Sequence, residues 1–299
     1  MKRTFLLCFI LLGWLHSAFG QATFNIDGFS EQYYGKVYFS DTTQTASAGW
    51  VEVYDRATKK KLIHIDADEL SFDLYDNPQK AYITKIPYEE QSAILYKDFN
   101  FDGVKDFAII DGFRNWTLGH SFKIFLASSK RFVFSDSFTE LTQDNQGMFT
   151  VNAINKTIST KAKIGDTWYQ YSDYIVENNK PKLIRRHTDD YEHAPFYRET
   201  IEELKGNKMV KTTRSSLALE RYHIEECFKF HVDKVNKDII LCNFYDDRLY
   251  YVILDAKQNV EFYYPFEELR QTSDFIFYRK NGKLTFKNKD ASYTIYDKS

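Results

Sequence analysis

Alternation of apolar and polar residues is the dominant pattern along the chain, and it predicts a series of short β-strands. In segments such as GKVYFS at 35–40, every second side chain falls on the same face of an extended chain. The other segments of this kind in the first two thirds of the chain are 49–55, 61–66, 92–98, 106–111, 121–128, 156–160, 167–176 and 181–187. The sequence therefore predicts an all-β fold of mostly antiparallel sheets, with little helix and a sandwich or propeller-like core. No repeat of fixed period supports a propeller of identical blades.

The alternation is weakest at 187–220 and then resumes, which predicts two β units joined near residue 215. The later segments with a strand pattern are 227–232, 238–244, 249–255, 259–265 and 292–297. DFIFYRKNGKLTFKN at 274–288 predicts a hairpin closed by a two-residue Asn281-Gly282 turn. PFEELRQ at 265–271 predicts one or two helical turns. The expected domains are 21–214 and a C-terminal β unit at 215–299.

The N-terminus has the features of a bacterial signal peptide. Lys2 and Arg3 precede an apolar run at 5–15, and small residues follow up to Gly20. We expect residues 1–20 to be removed by cleavage after Gly20 and the mature chain to be periplasmic or secreted. No second apolar stretch of this kind follows, so the sequence does not predict a membrane-spanning protein.

Composition and charge narrow the class further. Aromatic residues make up 17% of the chain, with 26 Phe and 22 Tyr, which favours β-structure. Removing Lys2 and Arg3 from the 40 basic residues leaves 38 against 42 acidic residues, a net charge of −4. Nucleic acids and anionic membranes require a basic face, so neither is expected as a partner.

Two cysteines, Cys227 and Cys242, remain after the predicted cleavage. They fall on neighbouring predicted strands, and an oxidising compartment allows them to form one disulfide. The alternative is a pair of reduced thiols, because sequence alone does not give the required geometry.

The segment YKDFNFDGVKDFAII at 96–110 predicts a calcium loop between two strands. Its oxygen donors have the spacing of the first part of an EF-hand loop, and a glycine permits the sharp turn. The residues expected to bind the ion are Asp98, Asn100, Asp102, Val104 through its carbonyl oxygen, and Asp106. The bidentate glutamate of an EF-hand is absent because Ile109 takes its place.

A calcium ion in this loop would be structural, with an affinity of about 10⁻⁴–10⁻³ M, as in extracellular modules. Phe99 and Phe101, pointing away from the ion, would tie the loop to a core. The alternative is a polar β-turn in which Asp98 and Asn100 accept backbone hydrogen bonds. Three carboxylates packed this closely repel one another without a cation, which favours calcium.

Sequence motifs of catalysis are missing, so we do not expect an enzyme. There is no G-x-S-x-G and no H-E-x-x-H. Acidic pairs such as Glu225-Glu226 are strand neighbours and point to opposite faces. The segment RRHTDDYEH holds His187 and His193 with acidic residues that could bind a transition metal, although a solvated charged loop is the alternative.

Aromatic residues in two predicted turns are the candidates for partner binding. One turn lies within DGFRNWTLGHSF at 111–122, and the other within KIGDTWYQY at 163–171. Tyr, Trp and Arg are common anchors of protein recognition, and aromatic rings also stack on sugars. The alternative is that these rings cap the core. The candidate residues are Arg114, Asn115, Trp116, Gly165, Asp166, Trp168 and Tyr169.

Residues 92–187 resemble a family of exported calcium-binding β proteins. The resemblance is carried by LYKDFNFDGVKDFAIIDG, FKIFLASSKRFVFSDSFTELT and NKTISTKAKIGDTWYQYSDYIVENNKPKLIRR. Members resemble periplasmic inhibitors of invertebrate-type lysozyme, and one branch acts as immunity proteins against peptidoglycan hydrolases. The resemblance implies the same calcium ligands and an inhibitory loop at KIGDTWY, where Gly165 is kept and Ile164 replaces a serine.

These observations predict a calcium-stabilised binding protein, with inhibition of a lysozyme-like peptidoglycan hydrolase as its most specific function. A rigid loop at 163–171, helped by 113–120, would enter the glycan cleft of the enzyme and block it sterically. The first alternative is an envelope or surface module that binds glycan. The second is an enzyme of unrecognised type.

Overall fold

The computed structural model describes residues 20–44, 46–71, 93–128, 131–192, 196–218, 227–244, 248–265 and 275–296. These residues form five antiparallel sheets with one α-helix and two single turns of 3₁₀ helix. The predicted all-β fold with little helix is confirmed. The predicted signal peptide, apart from Gly20, lies outside the described residues, as does the segment 265–271 beyond Pro265. No helix in the described part of the chain is long and apolar enough to cross a membrane.

The chain divides into two compact units. Unit 1 consists of Met1–Lys163 and Ser172–Ile184, and unit 2 of Ile164–Tyr171 and Arg185–Ser299. The joint predicted near residue 215 lies inside unit 2, and a domain division at that point stays a prediction.

Two four-stranded meanders supply most of unit 1. The first contains β1 (Ala22–Ile26), β2 (Tyr33–Phe39), β3 (Ala46–Asp55) and β4 (Lys61–Ser71), paired in that order. The second contains β5 (Ile94–Lys97), β6 (Asp106–Asn115), β7 (Gly119–Ser128) and β8 (Arg131–Phe134), also paired in chain order.

The two meanders share one hydrophobic core. Alternate residues of β2 are buried, including Val37 and Phe39, as a sheet with one buried face requires. On β6, Phe107 and Ile109 are both fully buried, and so are the residues between and beside them. A strand whose successive side chains are all buried is covered on both faces, which makes β6 the centre of this core.

The helix α1 (Asp136–Gln143) packs on β7 and was not predicted from the sequence. It has only eight residues, with Phe138 and Leu141 buried in the core of unit 1. Thr139 and Thr142 accept hydrogen bonds from backbone N–H groups of β7. Two turns are too short for a 3.6-residue period to stand out from the surrounding alternation.

The region with the weakest predicted β pattern, 187–220, is in fact mostly strand. The sheet here is a meander in chain order of β9 (Thr150–Asn152), β10 (Thr157–Ile164), β11 (Trp168–Glu177), β12 (Lys180–Asp190), β13 (Phe196–Lys205) and β14 (Lys208–Leu217). Charged pairs, such as Arg186 with Glu202 at 3.1 Å between the Arg Nη1 and Glu Oε2 atoms, line neighbouring strands. These strands carry polar residues on both faces, so apolar alternation could not reveal them.

Two smaller sheets follow in unit 2. One contains β15 (Cys227–Val232), β16 (Lys237–Phe244), β17 (Arg248–Leu254) and β18 (Val260–Tyr264), and the other contains β19 (Ile276–Tyr278), β20 (Lys283–Asn288) and β21 (Ala291–Tyr296). Tyr251, Tyr264 and Phe286 form a buried aromatic cluster. The rings of Tyr264 and Phe286 are stacked with centroids 4.7 Å apart. This packing accounts for part of the high Tyr and Phe content.

The hairpin at 274–288 has a longer connection than predicted. Tyr278 pairs with Lys283, so four residues connect β19 and β20 instead of the two-residue Asn281-Gly282 turn. Arg279–Asn281 forms a 3₁₀ turn, and Gly282 follows with φ of +52°. Gly282 supplies the left-handed conformation that ends this turn, which is the role glycine plays after a helical turn.

Candidate functional site

The predicted calcium loop lies between β5 and β6 in unit 1, and its side chains accept backbone hydrogen bonds. Asp98 Oδ2 accepts the Gly103 N–H at 2.9 Å, and Asp102 Oδ1 accepts the Val104 N–H at 2.8 Å. Asn100 Oδ1 accepts the Asp102 N–H at 3.2 Å. The side-chain oxygen atoms of Asp98, Asn100 and Asp102 therefore face the inside of the loop.

The backbone of the loop is sharply curved. Phe101 and Gly103 have φ values of +63° and +91°, both in the left-handed region. A phenylalanine in this region is uncommon and costs conformational energy. Phe99 offsets that cost because its ring is fully buried and lies 5.4 Å from the ring of Phe149 in the core of unit 1. Phe101 packs against the same core.

Asp106 is fully buried and links the loop to β7. Its Oδ2 atom accepts the Phe99 N–H at 2.8 Å, and its Oδ1 atom accepts the Ala127 N–H at 2.7 Å. The pKa of this carboxyl is raised to about 6, mainly because the group is buried. The two backbone N–H groups lower this pKa, and the negative charges of Asp102 and Asp98 raise it. Asp106 therefore has a structural role in addition to the ligand role predicted from the sequence.

The donor set of the loop has the chemistry that calcium requires. The four polar side chains offer oxygen atoms, and hard oxygen ligands are what Ca²⁺ binds. Each oxygen of Asp106 accepts one backbone N–H and keeps a further lone pair for an ion. Asp98, Asp102 and Asp106 do not form a group of three described carboxylates whose ligand atoms lie within 4.8 Å of one another. Binding would thus require the loop carboxylates to move together.

The candidate residues Arg114, Asn115 and Trp116 lie at the tip of the β6–β7 hairpin in unit 1. Arg114 and Asn115 end β6, and the turn at 116–118 leads into β7. Between the strands predicted at 106–111 and 121–128, the sequence has a stretch without strand alternation. Strands occupy most of it because irregular register positions near Gly112 and Asn115 interrupt the alternation without ending the sheet.

This hairpin tip is held by hydrogen bonds and presents an exposed indole. Trp116 is 90% exposed, and its ring contacts the Phe113 ring edge-on with centroids 5.3 Å apart. Asn115 Oδ1 accepts the Thr117 N–H at 2.8 Å. The Gln146 side-chain amide donates to the Thr117 carbonyl at 2.8 Å and fixes the turn from the other side. The Trp116 ring is thus held outward by a turn that is already ordered.

The second group of candidate residues, Gly165, Asp166, Trp168 and Tyr169, lies at the turn between β10 and β11. Gly165 and Asp166 are exposed within the turn, and Trp168 begins β11 with its ring partly buried. The Tyr169 hydroxyl donates to the Asp166 carbonyl at 3.1 Å. These four residues belong to unit 2, whereas Arg114, Asn115 and Trp116 belong to unit 1.

Trp168 lines an open groove on one face of the sheet in unit 2. The groove has a volume of about 480 Å³. Its lining comes from alternate residues of β11 to β14: Trp168, Gln170, Arg186, Thr188, Asp190, Arg198, Thr200, Glu202, Lys211 and Thr213. The buried Nε atom of Arg186 has no hydrogen-bond partner in the described protein. A groove of this kind offers hydrogen-bond donors and acceptors beside one aromatic ring.

Cys227 and Cys242 are joined by a disulfide. They lie directly opposite each other on β15 and β16, with Cα atoms 4.3 Å apart. Cys242 is buried in a small core with Val252 and Leu254. The bond therefore links the edge strand of this sheet to a packed interior strand.

A cluster that the strand patterns did not predict lies on the sheet face opposite the groove. His187 and Asp189 are two residues apart on β12, and Glu199 on β13 lies directly opposite Asp189. The His187 Nε2 atom is 3.0 Å from Asp189 Oδ1 and 3.0 Å from Glu199 Oε1. His187 and Asp189 were noted in RRHTDDYEH, but Glu199 could be added only once the register of β12 and β13 was known. His193 lies outside the described residues.

Two further side chains hold the carboxylates of this cluster in place. The Tyr197 hydroxyl donates to Asp189 Oδ1 at 2.6 Å, and the Arg214 guanidinium is paired with Glu199 Oε2. Burial and the hydrogen bond to Asp189 raise the pKa of Tyr197, so its hydroxyl stays protonated and remains a donor. The cluster is partly buried, and Glu199 is its least exposed member.

Comparison with known proteins identifies no family for this chain. No family model and no curated protein sequence matches the chain. Among solved structures, one described as the structure of a Xanthomonas Type IV secretion system related protein is similar to this chain, with a TM-score of 0.48 and 21% sequence identity. The similarity covers 63% of this chain and 92% of that chain. The class established by the described residues is thus an all-β protein, and the resemblance to lysozyme inhibitors stays a prediction.

Proposed function

We propose that this protein is an exported, envelope-associated binding protein that blocks a lysozyme-like peptidoglycan hydrolase. The observation that carries the proposal is the 90% exposed Trp116 ring on a hairpin tip fixed by Asn115 and Gln146. An aromatic anchor that is already ordered loses little conformational entropy on binding. Tryptophan is also among the residues that contribute most to binding energy at protein interfaces.

The mechanism is steric. The tip around Trp116 would enter the glycan cleft of the hydrolase, and the exposed Arg114 beside it would pair with the acidic residues that such enzymes use. The turn at Gly165 and Asp166, the loop implied by the family resemblance, is the second candidate tip. Its exposed Ile164 is apolar where the inhibitors have a serine, so we place the principal contact at Trp116.

A functional experiment is inhibition of peptidoglycan hydrolysis by lysozymes of the chicken, goose and invertebrate types, titrated with the mature chain. Truncating Trp116 to alanine is expected to weaken inhibition about 30-fold, since a dominant interface residue contributes about 2 kcal/mol or more. Ile154→Ala is the matched control, because Ile154 is 94% exposed in a different turn of unit 1. Equal effects of the two substitutions, or no inhibition by the wild type, would contradict the proposal.

The groove beside Trp168 favours a second function, the binding of envelope glycan. Sugars present hydroxyl groups to paired donors and acceptors and an apolar face to an aromatic ring, and this groove supplies both. Titration with soluble peptidoglycan fragments separates the two functions. Binding that is lost in Trp168→Ala and kept in Trp116→Ala would support a glycan-binding module with no effect on the hydrolase.

We also propose that calcium binds at Asp98, Asn100, Asp102, the Val104 carbonyl and Asp106. Calcium at 5 mM is expected to raise the melting temperature, and a chelator to lower it, because an ion that binds only the folded state stabilises it. Asp102→Ala should abolish the difference, while Asp144→Ala serves as an exposed acidic control outside the loop. A wild-type protein that ignores both calcium and chelator would mean that the loop is a polar turn only.

A further inference from the structure

We propose that His187, Asp189 and Glu199 bind a divalent transition-metal ion of the Zn²⁺ class, in unit 2 and separate from the calcium loop. The three side chains come from two paired strands, β12 and β13, and not from one flexible segment. Their candidate ligand atoms all lie within 4.8 Å of one another. The strands therefore place the three ligands together before any ion arrives.

The two carboxylates of this cluster converge on a single imidazole nitrogen. Asp189 Oδ1 and Glu199 Oε1 both lie 3.0 Å from the same atom, His187 Nε2. A neutral imidazole nitrogen carries one proton or one lone pair, so one N–H would have to be shared between two anionic acceptors. A metal ion bound to all three atoms satisfies the nitrogen and both oxygens at once.

Two other histidines of the described chain show what a purely ion-paired arrangement looks like. His64 places Nδ1 2.8 Å from Glu52 Oε1 and Nε2 3.1 Å from Asp66 Oδ1. His231 likewise uses Nδ1 for Asp238, at 2.8 Å, and Nε2 for Asp233, at 3.6 Å. In both, the carboxylates lie at opposite nitrogens of the ring, where no single ion can bind both together with one nitrogen. At His187 they converge on one nitrogen.

The register of the strands adds an electrostatic reason. Asp189 and Glu199 are directly opposite each other, and like charges at opposite positions destabilise an antiparallel pair. Arg214 pairs with Glu199 through the other carboxylate oxygen, Oε2, and leaves Oε1 facing His187. Arg214 thus compensates one of the two negative charges, and a cation at the cluster would compensate the other.

The ligand set selects the class of ion. One imidazole nitrogen with two carboxylate oxygens suits Zn²⁺ and related transition ions, whereas calcium takes oxygen ligands. With metal–ligand bonds of about 2.1 Å, atoms 3.0 Å apart subtend about 90° at the metal. Such angles fit neighbouring ligands of one ion, and three protein ligands leave a further position for water. Tyr197 and Arg214 would then orient the carboxylates from outside the coordination sphere.

The test is calorimetric titration of the mature full-length chain, without a histidine tag, with Zn²⁺ alone. We expect one bound ion per chain and an affinity at least about tenfold weaker in His187→Ala. His64→Ala is the matched control, since His64 also contacts two carboxylates, and it should bind as the wild type does. Asp102→Ala should also keep Zn²⁺ binding, which separates this site from the calcium loop.

Folding of each variant is checked by circular dichroism before titration. If His187→Ala is unfolded, His187→Gln replaces it, because the glutamine amide can still donate to the two carboxylates while it binds Zn²⁺ poorly. The proposal is overturned if the wild type binds no Zn²⁺ or if removal of His187 leaves the affinity unchanged. An equal loss in His64→Ala would also overturn it, since binding would then be to scattered surface histidines.

Discussion

Replacing Asp106 with alanine is expected to destabilise the protein by about 2–4 kcal/mol, because one buried and one half-buried backbone N–H group lose their acceptor. These are the N–H groups of Phe99 and Ala127, at 2.8 and 2.7 Å from the carboxylate oxygens. This loss of stability would be larger if burial did not disfavour the charged form of the Asp106 carboxyl in the folded protein. The pKa raised to about 6 shows that the folded protein bears a cost for this charge at neutral pH.

The measurement is equilibrium unfolding in urea with chelator present, so that the loss of a bound ion does not contribute. Asp102→Ala is the matched control, since Asp102 belongs to the same loop but is exposed. Its effect should stay below about 1 kcal/mol, as expected for a surface substitution that leaves no buried group unsatisfied. Equal losses in the two variants would show that Asp106 does not link the loop to β7.

Asp106 also illustrates which part of the candidate site could be predicted from the sequence. The spacing of Asp98, Asn100, Asp102 and Asp106 identified the loop and the oxygen atoms that face its interior. The bond from Asp106 to the Ala127 backbone was not predictable, because it joins residues 21 positions apart on different strands. Local spacing determines a loop, whereas sheet pairing determines what lies next to it.

The same distinction holds for the fold. Strands such as β2 and β7 were predicted correctly because one face is buried and the other is polar, which is visible as alternation. The strands β13 and β14 were not, because their exposed and half-buried faces carry Thr, Glu, Lys and Arg in cross-strand pairs. The helix α1 was missed because its two turns bury only a few residues on β7.

The sequence placed His187 and Asp189 in one segment, but Glu199 could not be added to the cluster without the structure. Glu199 is 12 residues from His187, and it reaches the cluster only because β12 and β13 pair with Asp189 opposite Glu199. A shift of the register by one residue would turn Glu199 to the groove face. Alternate residues of β12 and β13 thus point to opposite faces of this part of unit 2. One face carries the hydrogen-bonding groove, and the other carries the candidate metal site.

Removal of the Cys227–Cys242 disulfide is expected to destabilise the β15–β18 sheet of unit 2 by about 3 kcal/mol, the typical value for a closed loop of this length. The two residues are 15 positions apart, and the bond restricts the unfolded chain over that loop. The edge strand β15 has two exposed apolar residues, Phe228 at 76% and Phe230 at 38% exposure. It therefore gains little from packing and depends on its pairing with β16.

The double variant Cys227→Ala/Cys242→Ala is the appropriate change, because Cys242 is buried and a serine there would leave a hydroxyl in an apolar core. Thermal unfolding should show a lower transition for the variant than for the oxidised wild type. Adding a reductant should lower the wild-type transition towards that of the variant and leave the variant unchanged. The wild type could instead prove insensitive to reductant, and the variant could unfold at the same temperature. Packing of Cys242 with Val252 and Leu254 would then hold this sheet without the bond.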